Sequence, residues 1–474
     1  MKLHAFFVTI LSAGAASAAT VDSVSIKQLW PVSTDVKVSY VLSGVTDPVD
    51  IRVEILNGES AVPLDKVDRS FLRGDVYGVT GDGTHTLFVD PTQLKTVLPS
   101  YAADFKVKLS TAASAANVGE KIYRILDLNT GAVTDLSRSD IKNGLYGTWT
   151  DDVAATFGTT NSVDDVLVWT GVAKDPKWAK DYMVFRKIPA GGKIHRIGGQ
   201  EGEKDAQLDS REKPHYVKLS KDFWMGVFEV TQYQYEKMKG AGSNPSVWKT
   251  GSADDELKPV DSVAWQRTRG TTLGFKWSQQ YTWDEIYANV DNYEIIGLIR
   301  KLNASALSRL DLPSDAQWEV AARAGVLATH YNGYFNFNAA NTGANNSMMK
   351  LGRFSENGGK EGDVAKGPTR VGQYAPNAYG LYDMLGNLYE FVGDVYMEIP
   401  ANQLAEGEEY ILDPKGGKDD DDDYNGGAGN KGRSPYRGGS YTVNGRGCTL
   451  SVRPRTGRGS STADIGFRLC ITED

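Results

Sequence analysis

The C-terminal stretch Arg437-Gly-Gly-Ser-Tyr441, then Cys448, then Asp464-Ile-Gly-Phe-Arg-Leu-Cys470 constrains this chain more than any other part of it. It holds both cysteines of a 474-residue sequence. In an oxidising compartment such a pair can form a disulfide. Two buried, unreactive thiols are the alternative, and sequence does not set the Cα separation that decides between them. The length is enough for two or three domains with a substantial core.

Charge and composition exclude several classes. Acidic and basic residues are mixed and the formal net charge is -8, so the concentrated basic face of a nucleic-acid binder is not expected. No residue type is depleted as in disordered chains. The N-terminus reads as an export signal: Lys2, the short apolar run Ala5-Phe-Phe-Val-Thr-Ile-Leu11 and the small-x-small site Ala16-Ser-Ala18 follow in order. No later segment approaches the roughly 20 apolar residues of a membrane helix. The expectation is an exported protein, periplasmic or extracellular, without a membrane span.

Four parts are expected: a signal peptide over 1–18, a β-sandwich over 19–113, a lead-in segment over 114–182 packed on the C-terminal domain, and a large domain over 183–474. The sandwich rests on period-2 alternation in Val36-Lys-Val-Ser-Tyr-Val-Leu42, Ile51-Arg-Val-Glu-Ile55, Thr84-His-Thr-Leu-Phe-Val89 and Phe105-Lys-Val-Lys-Leu109. Turn clusters separate these strands and no helix pattern interrupts them, which suits an immunoglobulin or fibronectin type of module. The lead-in has strand-like pieces at Tyr123-Arg-Ile-Leu-Asp127 and Asp165-Val-Leu-Val-Trp169. In the large domain Thr231 is placed to cap a helix ending at Gly240. Ser314, with Gln317 three residues on, predicts a second helix stopped by Gly325. The acidic run Asp419–Asp423 reads as a solvated loop, since its carboxylates do not alternate as calcium-loop ligands do.

Six landmarks in order resemble the formylglycine-generating enzyme (sulfatase-modifying factor) family: Glu229-Val-Thr231, Pro259-Val260, Leu312-Pro-Ser-Asp-Ala-Gln-Trp-Glu319, Gly380 to Asp394, Arg437-Gly-Gly-Ser-Tyr441 and Gly466-Phe-Arg468. The resemblance covers about Met183 to the C-terminus. It implies an α+β fold of C-type lectin type, with little regular secondary structure and long loops stapled by calcium.

The family's oxidases hold copper between two thiolates and convert a substrate cysteine to formylglycine; soft thiolates suit Cu(I). Matched from Gly438-Gly-Ser440, those two cysteine positions fall at Val443 and Cys448. Val443 cannot ligate a metal, which argues against copper. The family's active-site serine matches Ser440, the adjacent histidine falls at Asn444, and the tryptophan before the motif glutamate falls at Tyr389. Cys448 and Ser440 are the residues any remaining catalysis would use. Reactive cysteines need an electropositive, accessible niche, and Arg446 and Arg453 lie nearby in sequence. The resemblance also implies calcium at Asp383, Gly386, Leu388 and Glu390, through two carboxylates and two backbone carbonyls. Asp383 and Glu390 capping backbone amides in a turn is the alternative. A second calcium maps to Asn341 and Asp363.

Other chemistry has no sequence support. His85, His195, His215 and His330 are scattered without HExxH spacing, and there is no GxSxG elbow, P-loop or dinucleotide fingerprint. Variable ligand-binding proteins of C-type lectin type end in a similar pattern, with the recognition surface between the glycines and the final strand. Here that segment runs from Tyr441 to Asp464 and offers Asn444, Arg446, Arg453 and Arg455 to polar or anionic ligands, glycans or proteins included. Charge balance against the acidic loop is an equal explanation of the arginines. The sequence therefore points to a calcium-stabilised binding module without oxidase activity; an active oxidoreductase that modifies a partner's cysteine is the alternative.

Overall fold

Alternation of apolar and polar side chains builds the N-terminal strands. A computed structural model describes residues 19–28, 35–64, 71–90, 94, 105–114, 119–159, 163, 166–199, 212–249, 254–265, 268, 310–331, 348–358, 367–394, 396, 410–414 and 433–472. Residues 1–18, expected as an export signal, and Asp419–Asp423, Asn341 and Asp363 lie outside the described residues. These divide into two units, the first drawn from Met1–Ile122, Leu136–Asp151 and Trp169–Val172, the second from Tyr123–Asp135, Asp152–Val168 and Ala173–Asp474.

The first unit contains β1 (Thr20–Gln28), β2 (Val36–Ser43), β3 (Val49–Asn57), β4 (Ser60–Ala61), β5 (Leu72–Gly74), β6 (Gly83–Val89) and β7 (Phe105–Ala113). They form two sheets, ordered β1-β2-β6-β5 and β4-β3-β7. Val36, Val38, Tyr40 and Leu42 point inward along β2, and with Ile55, Leu87 and Val107 they share one core. All four strands expected from alternation are present; β1 is an addition. The short helix α1 (Arg138–Lys142) belongs to this unit because Asn143, its C-cap, accepts the backbone amides of Val76 and Tyr77 on Oδ1.

The second unit begins its main sheet earlier than Met183. Its order is β14-β20-β13-β10-β8-β9, from β8 (Lys121–Asp127), β9 (Val133–Ser137), β10 (Tyr182–Ile188), β13 (Phe223–Gly226), β14 (Leu310–Asp311) and β20 (Cys470–Thr472). β8 pairs with β10 from Tyr182↔Asp127 to Arg186↔Tyr123, so the expected strand at 123–127 is a member of this sheet. The strand expected at 165–169 is not formed over its described residues. Val168 makes only a bridge before the chain turns into a 3-10 helix at Thr170–Ala173.

A smaller sheet orders β11 (Ile194–Ile197), β12 (His215–Lys218) and β16 (Ile411–Leu412). Another orders β18 (Arg455–Gly457), β17 (Arg433–Arg437), β15 (Tyr389–Phe391) and β19 (Ile465–Phe467). Besides the five-residue α2 (Val153–Phe157), two helices support these sheets. In α3 (Gln232–Lys239) Thr231 and Gln234 form a capping box, and in α4 (Asp315–Arg323) Ser314 and Gln317 do the same. Helix α4 stops one residue earlier than Gly325 requires, because Ala324 is already left-handed at φ 43°. Among the described residues no helix is long and apolar enough to cross a membrane.

Candidate functional site

The landmark residues meet one another in the core of the second unit. β15 lies between β17 and β19, which puts Glu390 beside Arg437 on one side and Gly466 on the other. Glu390 is fully buried and accepts from Arg468 through both oxygens, at 2.7 and 2.6 Å, and from Trp318 Nε1 at 2.6 Å. Arg468 also donates to the carbonyls of Gly226, Val227 and Tyr382. Glu229 accepts from Asn387 Nδ2 at 2.6 Å and from the Leu388 amide at 3.0 Å. Four of the six sequence landmarks are therefore tied by hydrogen bonds that neutralise groups too costly to bury alone.

Asp383 joins this cluster from a left-handed turn, at φ 56°. Its Oδ2 accepts from the Gly372 amide at 2.7 Å, while its buried Oδ1 has no hydrogen-bond partner among the described residues. Burial, with help from the nearby charge of Glu390, pushes the Asp383 carboxyl up to about 6. Burial likewise raises Glu229, reinforced by the charges of Asp383 and Glu390.

A second buried network links α4 to the C-terminal landmark. Asp315 accepts from Nε of both Arg437 and Arg453. Glu319, one helical turn on, pairs with Arg437 at 2.9 Å and with Arg323 at 2.8 Å, and its Oε1 accepts the Gly198 amide. Burial alone would raise Asp315; the two guanidiniums outweigh it and hold the carboxyl at about 2.

The positions expected to carry chemistry are enclosed. Ser440 is fully buried; its Oγ bonds to Thr442 Oγ1 at 2.8 Å and accepts the Thr442 amide. Cys448 is fully buried, its Sγ 3.8 Å from the Ser440 carbonyl and packed where a Cβ on Gly439 would overlap it. Burial pushes its thiol far up, so it is a neutral thiol at neutral pH. Cys470 lies on β20, buried, with Sγ 3.9 Å from Gln317 Oε1; both cysteines are free thiols. Val443 packs partly buried against the apolar core. The electropositive niche that would activate Cys448 is not formed by Arg453, which is committed to Asp315.

The other candidate ligand residues have local roles as well. Asn444 caps the turn Gly445–Gly447 by accepting the Gly447 amide on Oδ1 at 3.1 Å. Tyr389 packs edge-on against Tyr436 at 4.7 Å. Arg455 lies over the Tyr396 ring at 4.5 Å and Arg453 over the same ring at 4.8 Å. The side chain of Arg446 lies outside the described residues. Arg468, Asp315 and Glu319 were not among the expected site residues; their signal was a charged residue inside a family landmark, which a buried position tolerates only with partners.

Known proteins share this architecture in sequence. The chain is 31% identical over 137 residues to the formylglycine-generating enzyme of Mycobacterium tuberculosis, a match covering 28% of this chain and 44% of that protein. It is 34% identical over 93 residues to the inactive C-alpha-formylglycine-generating enzyme 2 of Mus musculus, covering 19% and 28%. The chain spans between 11% and 66% of the length of the curated relatives it matches. Among solved structures, Treponema denticola variable protein 1 aligns at TM-score 0.41 and 21% identity, over 62% of this chain and 96% of that one. The family described as sulfatase-modifying factor enzyme 1-like domain matches residues 179–473, well over half the chain, and to that family this protein belongs.

Proposed function

We propose that this protein is an exported binding module on the sulfatase-modifying-factor scaffold, stabilised by calcium and without copper-dependent formylglycine-generating activity. One observation carries the reading: Val443 occupies the position of one thiolate, and Cys448, at the other, is a fully buried neutral thiol. Cys470, the other thiol, is buried on β20 with its sulfur 3.9 Å from Gln317 Oε1. These donors do not fit a two-thiolate Cu(I) site. The name of the inactive mouse relative is in keeping with loss of catalysis on this scaffold.

Calcium fits better. The buried carboxyls of Glu390, Glu229 and Asp383 all act on the Arg468 guanidinium, and among the described residues Asp383 Oδ1 has no hydrogen-bond partner. A divalent cation would offset that surplus negative charge and satisfy the orphaned oxygen. Among the described residues no three His, Cys, Asp or Glu side chains group as a metal site, so the carbonyls of Gly386 and Leu388 would complete the shell. Glu390 would contribute with oxygens already accepting from Arg468 and Trp318, leaving Asp383 as the stronger ligand. Bound calcium supplies charge and rigidity here, not reaction chemistry. A second ion at Asn341 and Asp363 belongs to the same proposal. The N-terminal unit, read as an immunoglobulin-like β-sandwich, serves as a spacer, and the C-type lectin-like domain as the recognition head.

The test is incubation of the purified chain with a Cys-x-Pro-x-Arg peptide, with and without added copper, read by mass spectrometry. Unchanged peptide in both is expected. Conversion with copper overturns the reading and restores the alternative of an oxidoreductase acting on a partner's cysteine.

A further inference from the structure

The β17–β18 ribbon carries more arginine than the carboxylates among the described residues account for. Strand period places Arg433, Pro435 and Arg437 on one face of β17, and the register Pro435↔Arg455 puts Arg455 on that face, diagonal to Arg433. At the inner end Arg437 and Arg453 share Asp315, and Arg437 and Arg323 share Glu319. At the outer end neither Arg433 nor Arg455 pairs with a carboxylate among the described residues. Arg455 makes a long hydrogen bond from Nη1 to the Tyr396 hydroxyl at 3.4 Å, and its buried Nε has no partner among the described residues. Tyr396 is itself anchored to the ribbon, its amide donating to the Arg433 carbonyl at 2.9 Å.

A half-buried guanidinium with an orphaned donor is costly unless something supplies oxygens to it. The Tyr396 ring face lies against the Arg455 guanidinium and its hydroxyl takes a single long hydrogen bond from Nη1, which orients the fork while using one donor. A planar carboxylate is satisfied by one such fork. An anion with three outward oxygens can serve two guanidiniums arriving from adjacent strands. We propose that Arg433 and Arg455, diagonal to each other on one face of the β17–β18 ribbon, form a binding site for a tetrahedral oxyanion, the phosphate or sulfate ester of a ligand. The proposal deepens the binding-module reading and rests on it for the role of the site.

Isothermal titration of the full chain with inorganic phosphate and inorganic sulfate, with acetate as the planar control, tests it. Saturable binding of phosphate or sulfate is expected, with acetate weaker. Arg455→Gln and Arg433→Gln should each lose about tenfold or more in affinity, the share of one charge-assisted pair. Arg52→Gln, an exposed cation of the N-terminal unit, removes the same charge and should leave binding unchanged. The ratio of phosphate to sulfate affinity in the wild type tells the two ester chemistries apart. Absence of saturable binding, full affinity in Arg455→Gln, equal loss in Arg52→Gln, or acetate binding as tightly as phosphate overturns the proposal. Peptide oxidation in the copper assay would remove the non-oxidase reading and leave this site standing, so the two failures are distinguishable.

Discussion

Replacing Asp315 by Asn isolates what the α4 charge network contributes. Asp315 sits in the first turn of α4, its side chain 15% exposed, and accepts from Nε of Arg437 and Arg453, which approach from 122 and 138 residues away in sequence. Its carboxyl is held at about 2 against an ordinary value of 3.8. At about 1.4 kcal/mol per pKa unit that displacement corresponds to about 2.5 kcal/mol. Breaking one partner of a buried pair costs about 3–5 kcal/mol, and Arg437 keeps Glu319 in the variant. The expected loss near neutral pH is therefore about 3 kcal/mol.

Urea unfolding of the second unit, followed by tryptophan fluorescence, measures this loss, since Trp318 lies beneath Arg437. A depressed carboxylate stabilises the fold above its unfolded value and loses that contribution as pH falls toward its folded value. The gap between wild type and Asp315→Asn should be full above 3.8 and shrink on acidification toward about 2. A loss below about 1 kcal/mol near neutrality, or a gap that stays constant on acidification, would refute the reasoning, since either shows the charge is not what binds these elements.

Three further outcomes are expected. Burial holds the His330 imidazole down at about 4, so stability falls by about 1.4 kcal/mol per pH unit as the solution is acidified from its ordinary value toward that point. His330→Gln should flatten that slope in urea titrations across the range, and an unchanged slope rules the cause out. Cys448 and Cys470, both buried, should react with a thiol reagent only after unfolding; a thiol that reacts promptly in the native protein contradicts the enclosed reading. Calcium at about a hundred times its Kd should stabilise the second unit by about 2.7 kcal/mol, and Asp383→Asn should abolish the response. A wild-type melting temperature insensitive to calcium and chelator counts against the ion.

Much of the fold was legible because local rules decide local structure. Period-2 alternation placed β2, β3, β6 and β7, and the N-cap Thr231 and the capping box Ser314–Gln317 placed both longer helices. β1 was not legible: its burial alternates only weakly, and it is ordered by pairing with β2 along Thr20↔Ser43 to Gln28↔Val36. At 165–169 the apolar run suggested a strand, but Trp169 Nε1 donates to the Tyr146 carbonyl and Thr170 starts a 3-10 turn, so the described part of this backbone joins no ladder. The candidate site divided the same way. That residue 443 is a valine and not a thiol is a fact of residue type, whereas the inaccessibility of Cys448 comes from its packing against Gly439 and Ser440.

Residue order alone set the scaffold, through six landmarks, and put at 443 a valine, which cannot ligate a metal. Which charges meet was decided only by tertiary structure. Glu390 finds Arg468 78 residues away and Asp315 finds Arg437 and Arg453, leaving Arg433 and Arg455 without carboxylates among the described residues. The physical reason is that a side chain's residue type states its charge, but burial and long-range register decide whether that charge is neutralised inside the fold or left facing a ligand.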